Sequence, residues 1–177
     1  MAFLQNPSVN LAWRDANLKT ARDIADSLKR TENIRVIDNW VLGLASRGDG
    51  ETLESLLVDG YDHLADVEDS AGVHIVDVAE NAGHRDVALL LRHVPEFREK
   101  LERVHRCVRS GDVEGVKSLV GDDSRVAFSM NPKTGRNAMH VAVLCEEVAI
   151  VKWLGETVPD CVRRGDNVRF ANSSQLI

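Results

Sequence analysis

Histidine and cysteine are the residue types of this 177-residue chain best suited to chemistry, as metal ligands, general bases or nucleophiles. His105 precedes Cys107 by two positions, and His140 precedes Cys145 by five. Zinc sites need such groups at a recognisable ligand spacing, which neither pair has. The chain also lacks a G-x-S-x-G motif, and no cysteine stands in the histidine context of a nucleophile. We therefore expect no enzymatic activity, no metal site and no cofactor.

Composition and charge disfavour several classes of protein. Charged residues make up 28% of the chain and apolar residues 44%, which is typical of a globular protein. The formal net charge of −6 disfavours sequence-independent binding to nucleic acid. No apolar run approaches the roughly 20 residues that span a bilayer. Three cysteines without a C-x-x-C motif fit a reducing compartment. We expect a cytoplasmic protein, with the nucleus as the alternative, no nucleic acid partner and no membrane span.

Glycines followed by a polar residue mark a repeated pattern along the chain. They are Gly48, Gly83 and Gly111, and Glu146 stands at the fourth such position. Small or apolar residues come before and after each marker, and each unit closes on a leucine: Leu56, Leu91, Leu119 and Leu154. The pattern predicts two short antiparallel helices per unit, the first ended by a left-handed residue. Strand signals are nearly absent, so the sequence predicts an all-α fold.

These units resemble ankyrin repeats, in which a turn, a T-P-L-H-x-A stretch and a glycine-histidine pair precede the second helix. Asp69 to Leu91 is the best match, Gly135 to Leu154 has Asn-Ala-Met-His in place of Thr-Pro-Leu-His, and Asp15 to Ala25 resembles a further turn and first helix. The resemblance implies one ankyrin-repeat domain, an α-solenoid of about four to five divergent repeats. Its predicted parts are a divergent N-terminal turn and helix at 1–30, repeats at 31–65, 66–94, 95–128 and 129–158, and an incomplete repeat or frayed cap at 159–177, so that the domain covers 1–177.

Some repeats lack the hairpin turn, here called the finger, that precedes the first helix in the ankyrin family. The residues at the family's histidine position are Leu42, Asp77, His105 and His140, whose numbers differ by 35, 28 and 35. The short middle interval leaves no room for a finger, and residues 94–111 predict a continuous helix there. Residues 31–47 predict a second long helix. One long and one short interval together make a period of 63 residues, which also relates Gly72 to Gly135.

The resemblance assigns a structural role to His140. In the ankyrin family this histidine hydrogen-bonds the backbone of the turn and ties neighbouring hairpins together, a task that suits an imidazole with two addressable nitrogens. We expect this role for His140 rather than metal binding or catalysis. His105 occupies the same position without a finger before it, which leaves its role open.

The resemblance also implies a binding surface. Ankyrin arrays bind partners on a concave face built from finger tips and from the two residues before the interhelix glycine. At the matching positions of this chain, the predicted partner-binding residues are Ser46, Arg47, Ser70, Ala71, Val73, Asn81, Ala82, Arg109, Ser110, Lys133, Thr134, Arg136 and Leu144. Basic residues among them, on an acidic chain, suit an acidic or amphipathic peptide. The alternative interpretation is that these are solvated polar positions.

The sequence therefore predicts a non-catalytic interaction module that binds a partner protein or peptide on its concave surface. One alternative is a regulatory or targeting domain of a larger enzyme or signalling protein. Another is a scaffold that self-associates through helical faces exposed where fingers are missing. We expect the chain to be part of a longer one.

Overall fold

The structure is a computed structural model that describes residues 10–164. These residues form eleven helices, and no residue in this range belongs to a strand, so the predicted all-α fold is confirmed. The helices are α1 Ala21–Ser27, α2 Thr31–Arg47, α3 Gly50–Val58, α4 Ile75–Asn81, α5 Arg85–Arg92, α6 Val94–Arg109, α7 Val113–Asp122, α8 Arg125–Phe128, α9 Ala138–Leu144, α10 Val148–Thr157 and α11 Asp160–Arg163. Within this part of the chain, no helix combines the length and the apolar character that crossing a membrane requires.

The described residues divide into two compact units. Unit 1 comprises residues 10–57 and 61–94, and unit 2 comprises residues 58–60 and 95–164. The division between residues 94 and 95 falls at a predicted boundary between repeats. The single ankyrin-repeat domain with its repeat boundaries stays a prediction, and its first and last predicted parts extend outside the described residues.

The four repeat markers end their helices in the left-handed conformation. The backbone angle φ is +73° at Gly48, +87° at Gly83 and +69° at Gly111, and Glu146 adopts +60° although it is not a glycine. At each turn the amide of the following residue donates to the carbonyl five positions before it, at 2.9 to 3.0 Å. This bond closes the helix and turns the chain back. The predicted helix–turn–helix pattern is therefore confirmed at all four positions.

Both predicted long helices are present. α2 has the predicted bounds, 31–47. α6 begins at Val94, so Pro95 lies in its first turn, where a missing amide costs no helical hydrogen bond. Phe97, Leu101, Val104 and Val108 of α6 are buried, as their spacing on one helical face predicts.

The 63-residue period relates the helices of unit 1 to those of unit 2. α4 and α9 begin 63 residues apart and end 63 residues apart, and the starts of α3 and α7, and of α5 and α10, have the same separation. The leucines that close the four hairpins are all buried, being 0 to 8% exposed. Burying each such side chain contributes ~2 kcal/mol, so the repeated leucine holds the second helix of each hairpin in place.

Candidate functional site

The finger turn before α4 holds three of the predicted contact residues. The carboxylate of Asp69 organises this turn, because its Oδ1 accepts the backbone amides of Ala71 at 2.8 Å and Val73 at 2.9 Å. Gly72 has φ of +77°. Ser70 and Ala71 are exposed, and Val73 is half-buried. The turn therefore presents two small side chains to solvent on a fixed backbone.

The turn before α1 repeats this geometry. Oδ1 of Asp15 accepts the backbone amides of Asn17 and Lys19, each at 2.9 Å. The hydrogen bond from Lys19, with that from Asn17, lowers the pKa of Asp15. Leu18, with φ of +61°, takes the place of the glycine. The turn and first helix that the sequence predicts near the N-terminus are therefore present.

The finger turn before α9 holds a second group of predicted contact residues. Oδ1 of Asn131 accepts the amide of Lys133 at 2.9 Å, and its carbonyl accepts the amide of Gly135 at 2.8 Å. Lys133 is exposed, but its Nζ lies 3.3 Å from Oε1 of Glu102 on α6. Arg136 is exposed and forms no ion pair with any described residue. Lys133 is therefore partly engaged within unit 2, whereas Arg136 is available to a partner.

His140 has a structural position at the start of α9. Oδ1 of Asn137 accepts the amide of His140 at 3.0 Å, and Nδ1 of His140 accepts the amide of Asn137 at 3.2 Å. This reciprocal pair is a capping box, which satisfies two amides that a helix start leaves unbonded. Asn137 is fully buried and also donates from Nδ2 to the carbonyl of Cys161 at 2.9 Å. The expected hydrogen bond of His140 to the turn backbone is present, whereas the expected tie between neighbouring hairpins through His140 stays a prediction.

His105 occupies the same repeat position but lies inside the continuous helix α6. Its side chain is fully buried, and neither ring nitrogen has a hydrogen-bond partner among residues 10–164. Burial, reinforced by the positive charge of Arg109, lowers the pKa of His105 to about 4, so the ring is neutral at pH 7. The Thr134 hydroxyl in the finger turn is likewise buried without a partner in the described chain. Unit 2 thus contains polar groups whose burial is destabilising, because no hydrogen bond within the described chain offsets the loss of water.

The remaining predicted contact residues lie at the ends of α2, α4, α6 and α9. All of them are exposed: Ser46, Arg47, Asn81, Ala82, Arg109, Ser110 and Leu144. In unit 1 a Cβ added to Gly48 would lie 2.7 Å from Cε1 of His84, and in unit 2 a Cβ added to Gly111 would lie 3.0 Å from Oε2 of Glu147. Successive turns are therefore adjacent within each unit, and the end of α6 lies close to the end of α9.

An apolar tip, defined as Val143, Leu144 and Val148, lies on the α9–α10 hairpin of unit 2. These side chains are 59%, 61% and 62% exposed. The residues 63 positions earlier, in unit 1, are Glu80, Asn81 and Arg85. The hairpin does not require apolar residues at these positions, so the apolar tip is a property of this surface rather than of the fold. The sequence predicted only Leu144 of the three as a contact residue.

Unit 1 contains a charged network that the sequence analysis missed. Arg14 is only 5% exposed, and its Nη2 lies 3.1 Å from Oδ1 of Asp62. Nε2 of His63 lies 2.8 Å from Oδ1 of Asp23. Asp23, Asp62 and His63 bring three possible metal ligands within 4.8 Å of one another, but the Arg14 guanidinium already lies within ion-pair distance of both carboxylates. The arrangement suits an internal ion-pair network.

Comparison of the chain with protein families, curated proteins and solved structures gave no significant match. The ankyrin resemblance therefore rests on the internal repeats of this chain.

Proposed function

We propose that this chain is an ankyrin-repeat solenoid of the cytoplasm that acts as a non-catalytic interaction module, and that it binds a partner protein or peptide through its finger turns and first-helix ends. The main support is positive charge without a partner. Arg47, Arg109 and Arg136 are exposed, and none of them forms an ion pair with any described residue. A guanidinium offers forked donors that match a carboxylate. An acidic or amphipathic peptide is therefore the partner that fits.

The rigidity of the finger turns adds to this support. The turns at Asp69 and Asn131 each hold several backbone amides by side-chain and main-chain hydrogen bonds. Binding to a fixed backbone loses less conformational entropy than binding to a mobile loop, so more of the contact energy appears as affinity.

Charge reversal tests the proposed surface. The triple variant Arg47→Glu, Arg109→Glu and Arg136→Glu should weaken capture of native binding proteins by at least about a hundredfold, because charge-assisted hydrogen bonds become repulsive contacts. Quantitative mass spectrometry of proteins retained from cell extract on the immobilised chain measures the loss, and circular dichroism checks the fold.

The matched control carries the same change of charge at exposed basic residues outside the surface, namely Arg30→Glu, Lys152→Glu and Arg163→Glu. The control should retain the captured proteins. Equal retention by the two triple variants would contradict the proposed surface.

The apolar tip favours self-association as a second candidate function. Val143, Leu144 and Val148 are three exposed apolar side chains on one hairpin, and exposed apolar patches are typical of protein interfaces. If the tip joins two copies of the chain, the mass measured by light scattering should rise with concentration, and Leu144→Lys with Val148→Lys should return it to that of a monomer. A constant monomeric mass would remove this candidate.

A further inference from the structure

A polar cleft lies between α6 and α7 of unit 2. Its volume is about 260 Å³. The residues that line it are Arg103, Arg106, Cys107, Asp112, Gly115, Ser118 and Leu119. Drug-sized ligands occupy pockets of roughly 300–1,000 Å³. The cleft is therefore of a size to receive one side chain or a similarly small group.

The next hairpin of unit 2 shows that the fold does not require this cleft. α10 begins 35 residues after α7, which defines equivalent positions in the two hairpins. At the positions equivalent to Arg103, Arg106, Cys107 and Gly115, the α9–α10 hairpin has Ala138, Val141, Ala142 and Ile150. Those four residues are all buried. Positions that form core in one hairpin thus carry two arginines, a cysteine and a glycine around an open cleft in the other.

Gly115 lets Cys107 and Asp112 approach the backbone closely in the lining of the cleft. A Cβ at this position would lie 3.0 Å from Sγ of Cys107 and 2.7 Å from Cγ of Asp112, so no side chain fits without displacing them. Asp112 is held in place because its Oδ1 accepts the amide of Gly115 at 2.9 Å, which caps α7. The cleft therefore has a defined shape with one fixed carboxylate at its edge.

The charges in the cleft do not balance. Arg103 and Arg106 are both exposed, and neither forms an ion pair or hydrogen bond through its side chain with any residue in the described range. Asp112 is the single carboxylate among the lining residues. Two guanidiniums and one carboxylate leave one positive charge, which one additional carboxylate would neutralise. A phosphate dianion would instead leave excess negative charge.

We propose that the α6–α7 cleft binds a single carboxylate, presented by a glutamate or aspartate side chain of a partner peptide. Arg103 and Arg106 are three residues apart on α6, which places their Cβ atoms roughly 5–6 Å from each other. One carboxylate, with two oxygens, accepts from both guanidiniums at this separation. Ser118 of α7 adds a hydroxyl to the lining of the cleft.

An NMR titration with a defined probe tests this site. Isotope-labelled protein is titrated with the capped tripeptide N-acetyl-Ala-Glu-Ala-amide while the side-chain Nε–Hε signals of Arg103 and Arg106 are followed. The peptide should shift both signals saturably, and the matched peptide with glutamine in place of glutamate should not. Equal shifts with the two peptides, or no shift with either, would overturn the proposal.

Two variants separate binding from folding. Arg103→Gln should weaken binding of the glutamate peptide at least about tenfold, since it removes one charge-assisted contact. Arg35→Gln on α2 should leave the affinity for the peptide unchanged. Ser118→Trp introduces the residue that the next hairpin has at Trp153, and it should block the peptide while both arginines remain. Unchanged affinity in Arg103→Gln and Ser118→Trp would place the peptide elsewhere and overturn the assignment.

A titration with inorganic phosphate distinguishes the two kinds of anion. Binding of phosphate about tenfold tighter than the glutamate peptide would overturn the carboxylate assignment, and weaker binding would support it. The proposal for the cleft can fail without the proposed function failing, and the reverse. The charge-reversal test of the finger turns and helix ends leaves Arg103 and Arg106 unchanged.

Discussion

The α6–α7 and α9–α10 hairpins of unit 2 share one backbone register but begin differently. α7 and α10 start 35 residues apart, and so do α8 and α11. α9 starts after a finger turn, whereas the equivalent part of α6 is the interior of a continuous helix. The cap positions of α9 hold Asn137 and His140, and the equivalent residues of α6 are Glu102 and His105.

The difference teaches that a position in the repeat does not by itself fix the role of its residue. His140 accepts the amide of Asn137 because a helix start leaves that amide unbonded. In α6 the amide of Glu102 belongs to the helical ladder, so it is not available to the ring of His105. A histidine at this repeat position stabilises one hairpin, and in the other it is buried without a hydrogen-bond partner among the described residues.

The pH dependence of stability should show the largest contrast. The pKa of His105 falls from 6.5 to about 4 on folding, so between these values the unfolded chain binds more protons. Its contribution to the free energy of unfolding therefore decreases by up to about 3 kcal/mol as pH falls from 6.5 to 4. His105→Leu should remove this decrease. Urea denaturation of both proteins at about pH 7 and pH 5 measures it, and equal pH dependence would contradict a buried, neutral His105.

Removing the cap of α9 should have the next largest effect. Asn137→Ala loses the bond to the amide of His140 and leaves the buried carbonyl of Cys161 without the donor that Asn137 supplies. We expect a loss of about 2 kcal/mol in the free energy of unfolding. Glu102→Ala at the equivalent position of α6 serves as the comparison, with an expected loss of about 1 kcal/mol from its contacts with Lys133 and the side chain of Asn131. Similar losses in the two variants would show that the finger turn does not set the role of the position.

Substitutions in the turns that end α6 and α9 should change the stability of the protein in opposite directions. The left-handed backbone at Glu146 is strained, whereas glycine adopts this conformation without strain. Glu146→Gly should therefore stabilise the protein by about 1 kcal/mol. Gly111→Ala should destabilise it by at least about 1 kcal/mol, because its Cβ would also approach Glu147 at 3.0 Å. Thermal unfolding followed by circular dichroism measures both shifts, and a destabilised Glu146→Gly would mean that the glutamate makes a compensating contact.

Exchange of surface residues between the hairpins should have the smallest effect. Leu144 and Arg109 are equivalent exposed positions, so Leu144→Arg should change the free energy of unfolding by less than about 0.5 kcal/mol. Chemical denaturation measures this value, with the buried Leu154→Ala as a positive control expected to cost about 3 kcal/mol. A loss above about 1 kcal/mol in Leu144→Arg would show that the apolar tip is part of the core.

Much of the secondary structure could be predicted because its signals are local. The bounds of α2, the left-handed residue at each turn and the buried closing leucines follow from helical spacing and from the residues next to each turn. The contact of Lys133 with Glu102 could not be predicted, since it depends on how a finger turn packs against a helix. The cleft could not be predicted either, because exposed arginines three residues apart are common on helices and only the open space beside them sets these two apart.

The sequence by itself determined where the two long helices and the four interhelix turns lie. Periodicity, caps and turn residues act within a few positions, and the 63-residue period repeats them. Only the tertiary structure decided which polar groups meet. Arg14 and Asp62 are 48 residues apart in the chain yet form an ion pair, while His105 matches His140 in sequence position and finds no partner in the described chain. The environment of a side chain depends on segments that pack around it from elsewhere in the chain, and no local pattern encodes that packing.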